Sequence, residues 1–420
     1  MEGLRLSGRA RLAAALAGLA AACLATAGPA RADWQRGVAY TTYSANTYAA
    51  PASDASLARL AADGNSSVAI VVTRYMSDKF SNVVAPTSST PTDASLLHAM
   101  QTARALGLAV TLKPQVDVMT GSWRGGIAPT DPAAWFASYE DTIDHYADLA
   151  RQGGASMYEV GTELETMTVP AYTARWQQLI AGVRQRFGGR LTYAANWDEY
   201  QQVGFWPSLD YIGVDAYFRL ADVSDQSVAA LASAWTSRGY VAALRRASSI
   251  VGKPVLFTEI GYRSVVGATI HPGIWDSIAD YDMQEQANAY EAAFEAFAGQ
   301  PWFAGMHWWS WPAALPANGW NGDYTPTFKP AEAVMKSWNA RLAPQSVAPG
   351  SAGPVAPAPP GASTQAVPSR PAAHMKPVRH HRVKKKRHRA HRRARKHQRI
   401  RAHGRARKHH RVRAHGRAHR

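Results

Sequence analysis

Two glutamates stand out by position. Glu163 closes the segment MYEVGTEL (157–164), and Glu259 sits near the end of VLFTEIGY (255–262). A carboxylate delivered by an apolar strand is costly to bury, so it marks either a solvated cleft or a chemical use. Two carboxyl groups facing across one cleft are what glycosidic cleavage needs. One is protonated to donate to the leaving oxygen, and the other is ionised to attack. Either glutamate alone could be a salt-bridged structural residue; matched positions at two strand ends argue against that for the pair. Glu159, at the start of its strand, and Glu165, past the end, are the nearby competitors.

Such a pair must be positioned by the elements around it. Eight segments read as strands: 37–43, 68–75, 109–117, 157–164, 191–196, 211–218, 255–262 and 304–311. Several are continuous apolar runs, the pattern of parallel strands buried on both faces. Helical patterns fill the intervals at 93–107, 132–152, 171–187, 228–250, 282–298 and 329–341. Asp93 supplies an N-cap and Gly107 a stop for the first of these. Trp135, Tyr139, Ile143, Tyr146 and Leu149 form one apolar face of the second. The order predicts an α/β fold, a (β/α)8 TIM barrel over residues 33–342. In that fold functional groups collect at the C-terminal ends of strands, and strands four and seven lie opposed. The interval between strands five and six, about 15 residues, is too short for a full helix. A doubly wound sheet is the alternative, but GVAYTTYSANTY lacks its glycine-rich phosphate turn.

Other side chains end the same strands. Lys113, Gln115 and Asp117 close the third; they could bind sugar hydroxyls or form a structural ion pair. Asn196 closes the fifth. Asp215 alternates with Tyr217 on the sixth and reads as a hydrogen-bonding support. Trp308, Trp309 and Trp311 end the eighth, where an aromatic face can cover a pyranose. Strand alternation keeps Trp308 and Trp309 from both pointing inward, and Trp309 is the favoured platform. Trp123 and Trp197 are further platform candidates, with ordinary packing the equal alternative. Metal and nucleotide chemistry find no support: His98, His145, His271 and His307 form no ligand-spaced cluster, and no P-loop or GxSxG motif occurs. No cofactor is expected.

The 420-residue chain carries a formal net charge of +17, unevenly divided. Residues 376–420 hold 21 Lys and Arg and no acid, residues 1–32 are net +3, and Arg370 adds one, which leaves −8 on residues 33–369. The charge therefore says nothing of the body's substrate. Arg5, Arg9 and Arg11 precede an apolar run at 12–27, and Ala30-Arg31-Ala32 fits a cleavage site, so residues 1–32 read as a secretory signal peptide. That run of 16 is short for a membrane span of roughly 20 residues. Lipidation at Cys23, the single cysteine, lacks the usual preceding leucine. An exported protein without a transmembrane segment is expected, acting as a monomer. Residues 343–375 read as a Pro/Ala-rich linker. The Arg/Lys/His tail at 376–420 cannot fold alone and binds polyanions without base-specific reading.

The strings LKPQVDV with SWRGGI, then VGTELE, LTYAANWDEY, LDYIGVDAYF, LFTEIGYRS and HWWSW, in that order over roughly 35–340, resemble glycoside hydrolase family 113. The resemblance implies a retaining (β/α)8 glycosidase, typically a β-mannanase cutting β-1,4-mannosidic links. It implies Glu163 as acid/base, Glu259 as nucleophile, and Tyr217 as the tyrosine that hydrogen-bonds the nucleophile. Where the wider clan usually has Asn before the acid/base, contacting the sugar 2-hydroxyl, this chain has Thr162; Asn196 could supply an amide instead. The competing readings are a catalytically silent carbohydrate-binding barrel, and a polyanion-binding protein that uses the barrel as a scaffold.

Overall fold

The computed structural model describes residues 34–224 and 227–344. The expected signal peptide, the tail and nearly all of the linker lie outside these residues. Eight parallel strands close into a barrel in sequence order. They are β1 (Gln35–Thr41), β2 (Ser67–Met76), β3 (Ala109–Val118), β4 (Met157–Thr162), β5 (Arg190–Asn196), β6 (Ile212–Asp215), β7 (Val255–Ile260) and β8 (Phe303–Pro312). The helices are α1 (Pro51–Ala62), α2 (Asp93–Ala105), α3 (Pro132–Gly153), α4 (Thr173–Arg186), α5 (Val228–Ser237), α6 (Tyr240–Val251), α7 (Met283–Phe297) and α8 (Pro330–Leu342). The (β/α)8 barrel expected from the alternation of apolar runs and amphipathic segments is the fold.

Local chemistry accounts for the boundaries. Asp131 caps α3 by accepting from the amides of Ala133 and Ala134, Pro132 starts it, and Gly154 ends it in the left-handed conformation. Thr92, not Asp93, is the N-cap of α2, accepting from Ser95 N. The single helix expected at 228–250 is two, broken where Gly239 takes φ 83°. Between β5 and β6 only a 3-10 turn, Trp206–Ser208, fits. Barrel closure needs Gly305: at φ 130°, a Cβ there would lie 2.3 Å from Gln35 O of β1. Trp135, Trp176, Trp235, Trp308 and Trp311 are fully buried. Among the described residues no helix is long and apolar enough to cross a membrane.

The strand ladders loosen where the candidate groups emerge. β4 pairs with β3 only at Thr111–Met157 and Leu112–Tyr158, and its register with β5 shifts between Glu159 and Thr162. The β6–β7 register shifts between Val214 and Asp215, which sets Asp215 opposite Glu259.

Candidate active site

Glu163 follows the last residue of β4 and has φ 50°, a left-handed conformation unusual for a residue with a side chain. Its amide donates to Ala194 O of β5 at 2.8 Å. The next amide, Leu164 N, donates to the Tyr193 hydroxyl at 2.6 Å. Tyr193 in turn donates to Glu199 Oε1 at 2.8 Å, and Glu199 Oε2 accepts from Asn196 N. The turn that carries Glu163 is thus fastened to β5 by two backbone donors.

The Glu163 carboxyl is nearly buried and has two protein donors. Arg124 Nη1 lies 2.9 Å from Oε2, and Trp123 Nε1 lies 3.4 Å from the same oxygen. Both donors come from the turn after β3. Gly125 makes that turn possible, because a Cβ there would lie 2.3 Å from the Trp123 ring. Arg124 also donates to Asp117 and to Val116 O. Burial raises the Glu163 pKa, Arg124 opposes the rise, and the charge of Glu259 adds to it.

Glu259, on β7, is held from two sides. The Tyr217 hydroxyl donates to Oε2 at 2.7 Å, and Lys113 Nζ lies 3.2 Å from Oε1. Burial and then the Glu259 charge push the Tyr217 phenol well up, which keeps it a donor. Ala216 N donates to the Glu259 carbonyl at 2.7 Å, tying the end of β6 to β7.

The remaining expected residues divide by depth. Lys113 and Asp215, expected among sugar-binding groups, have no exposed surface. They lie beneath the cleft, Lys113 paired with Glu159 at 2.7 Å and Asp215 bonded to the Thr258 hydroxyl. Thr162 is also closed off, its hydroxyl donating to Pro114 O. Gln115 donates to Thr73. Asp117 stays partly open beside Arg124. Asn196 Oδ1 accepts from Trp197 N, and among the described residues its Nδ2 has no protein partner. Trp308 is buried, stacked on Tyr290 at 3.6 Å, and Trp311 donates to Ser56. Trp309 alone of the three keeps open surface. Trp123 and Trp197 are 48% and 39% exposed.

Three residues of the site carry no clear mark in the sequence. Arg124 stands inside the string SWRGGI, but its two carboxylate partners depend on how the loop folds back. Glu159, at the start of its strand, fills the barrel interior. Glu199 reads as a loop acid in NWDEY, yet burial raises its pKa to about 7. Its only signal is an acid three residues after a strand's end.

The family model for Glycoside Hydrolase Family 113 matches residues 38–324. A GH113 β-mannanase from Alicyclobacillus acidocaldarius is 30% identical with a TM-score of 0.67, over 74% of this chain and 98% of that one. A GH113 β-1,4-mannanase solved as a complex is 28% identical with a TM-score of 0.65, over 73% and 99% of the two chains. No curated protein is matched. The match spans the strands and loops that carry Lys113, Arg124, Glu163, Tyr217 and Glu259, and the chain belongs to glycoside hydrolase family 113.

Proposed function

We propose that this glycoside hydrolase is a β-mannanase that cuts β-1,4-mannosidic bonds with retention, Glu163 serving as acid/base and Glu259 as nucleophile. The observation that carries the assignment is that Glu163 and Glu259 stand at the C-terminal ends of β4 and β7, each with a cation and a neutral donor at its carboxyl group. Burial favours the protonated form of Glu163. Glu259 accepts from the Tyr217 hydroxyl and has the Lys113 ammonium 3.2 Å from its other oxygen. Glu163 donates its proton to the leaving oxygen while Glu259 attacks the anomeric carbon, forming a glycosyl-enzyme. Water, deprotonated by Glu163, then releases the sugar with the original configuration. Trp309 stacks on the sugar held between the carboxyls, Trp123 and Trp197 border it, and Asn196 Nδ2 is the amide available to a hydroxyl. The mannan specificity is supported by the two similar β-mannanases.

The same reading has the protein exported by residues 1–32 and held on an anionic surface by residues 376–420, supported by the 21 positive side chains there. Glu163→Gln should lower kcat on β-mannan by roughly 10²–10⁴-fold. Glu259→Ala should stop turnover, and azide with an activated aryl β-mannoside should restore it as the α-glycosyl azide. Ordinary turnover by either variant would remove that residue from the mechanism. Hydrolysis of cellulose, xylan or chitosan in preference to mannan would overturn the substrate.

A further inference from the structure

The barrel interior directly beneath Glu259 holds more acid than base. Lys113 Nζ is the one cation there among the described residues, and it lies 2.7 Å from Glu159, 3.2 Å from Glu259 and 3.9 Å from Asp215. None of the partners below the cleft has exposed surface. Among the described residues Asp215 Oδ2, Glu159 Oε1 and Glu259 Oε1 have no hydrogen-bond donor. His307, buried in the barrel, is held neutral by burial and then by Lys113, its pKa lowered to about 3.

We propose that Lys113 is the positioning residue of the nucleophile, Glu159 and Asp215 seating its ammonium beneath the cleft so that its single positive charge faces Glu259. This rests on the assignment of Glu259 as nucleophile and explains a feature that assignment leaves open, namely why three acids converge on one buried lysine.

The physical argument is one of charge balance. Three ionised carboxylates around one ammonium would leave two uncompensated negative charges in a dry interior, a state far too costly to persist. Some of the acids must therefore keep their protons. Asp215 is pushed well above the carboxylate range by burial and then by the charge of Glu259. Glu159 is raised to about 7, by burial first, with Lys113 opposing. Glu259 alone of the three opens to the cleft, its Oε2 accepting from the Tyr217 hydroxyl while Asp215 Oδ1 accepts from Thr258. The groups facing it are Lys113 from β3, Glu159 and Glu163 from β4 and its end, Arg124 from the turn after β3, Asp215 and Tyr217 from the end of β6, and Tyr43 and Tyr324 from the segments after β1 and β8, whose phenols burial pushes up and keeps neutral. Arg124 and Tyr217 keep their protons at every pH at which the enzyme works, the one as a cation and the other as a neutral donor. The charge that Glu259 meets is therefore set by Lys113 and the neighbouring acids.

Removing the cation and removing its lower partner give different outcomes. Lys113→Met removes the cation from beside Glu259, so the carboxylate forms less readily. The acidic limb of kcat/KM, which reports the free enzyme's nucleophile, moves to higher pH. Glu159→Gln keeps the side-chain shape and, because Glu159 already holds its proton at the acidic limb, leaves that limb in place. The Lys113→Met displacement is expected to be about one pH unit, a tenfold change in the ionised fraction at fixed pH. Both are measured on the full chain with β-mannohexaose. A purely structural ion pair would lower the height of the profile, or the melting temperature, without moving its limb. Lys113→Gln, which removes the charge but leaves Glu159 a hydrogen-bonding partner, carries the test if Lys113→Met does not fold. A Lys113→Met or Lys113→Gln limb that superimposes on that of the parent protein while Glu259→Ala is inactive, or a Glu159→Gln limb that moves as far as theirs, overturns this inference alone; turnover by Glu259→Ala overturns the nucleophile assignment and this inference together.

Discussion

Arg124 lies between two acids, Asp117 and Glu163, and this placement sets the acid/base properties of the cleft. Its charge opposes the rise that burial imposes on Glu163. Removing that charge while keeping the side chain's bulk, as in Arg124→Met, therefore raises the Glu163 pKa further. On the proposed acid/base role Glu163 works as general acid only while protonated, so the alkaline limb of the pH–rate profile should move to higher pH, by about one unit. A limb that stays in place, or moves to lower pH, would show that Arg124 does not govern the proton on Glu163. The residue scale is also where sequence reading reaches least far. Glu163 and Glu259 are legible because an acid ending an apolar strand is an expensive anomaly. The burial of Lys113 and Asp215 is not, because alternation along a strand gives the face of a side chain and not its depth. Trp309 is separable from Trp308 by that same alternation. Trp311 is buried by contact with Ser56 of α1, an element the sequence pattern does not reveal.

At the scale of elements, the turn after β4 carries an unfavourable backbone conformation, and neighbouring β5 holds it. The left-handed φ of Glu163 is maintained through Leu164 N, the Tyr193 hydroxyl and Glu199. Tyr193→Phe leaves the buried Leu164 N without its acceptor and Glu199 Oε1 with the Thr168 hydroxyl alone. It should cost about 1–3 kcal/mol of stability and lower kcat by displacing Glu163; chemical denaturation and steady-state kinetics measure the two effects. Unchanged kcat in a destabilised Phe variant would separate this relay from catalysis. Glu199 also links stability to pH. Its pKa is about 7 in the folded chain against an ordinary 4.5, so between these values the folded protein retains a proton that the unfolded chain has lost. The contribution of Glu199 therefore falls as pH rises through that window. Glu199→Gln lacks this dependence, so its stability relative to the parent should improve from about pH 5 to about pH 8, as read from urea melts. A constant difference would contradict the raised pKa. The strands themselves are nearly all legible, since buried parallel strands are unbroken apolar runs. Helix α1 is not, because its PASDASLARLAA offers only Leu57 and Leu60 as large apolar anchors and buries Ser53 and Ser56 instead. The break at Gly239 is hidden inside a long amphipathic pattern that continues on both sides of it.

On the scale of the whole molecule, an acidic body is joined in sequence to a strongly basic segment. If the body alone performs hydrolysis, deleting residues 343–420 should leave kcat and KM on soluble mannan unchanged and abolish salt-sensitive retention on an anionic polymer. Loss of hydrolysis on deletion would favour a polyanion-binding protein for which the barrel is a scaffold. Retention by the full chain should strengthen below about pH 6, as the ten histidines of the tail gain charge.

The central claim is that Glu163 and Glu259 cleave a β-mannosidic bond in two displacements. Proton NMR of β-mannohexaose hydrolysis, recorded before the product anomers equilibrate, reads this directly. Retention predicts that the β-anomer of the new reducing end appears first and then decays toward the equilibrium mixture. First appearance of the α-anomer, or no cleavage at all, would contradict the account.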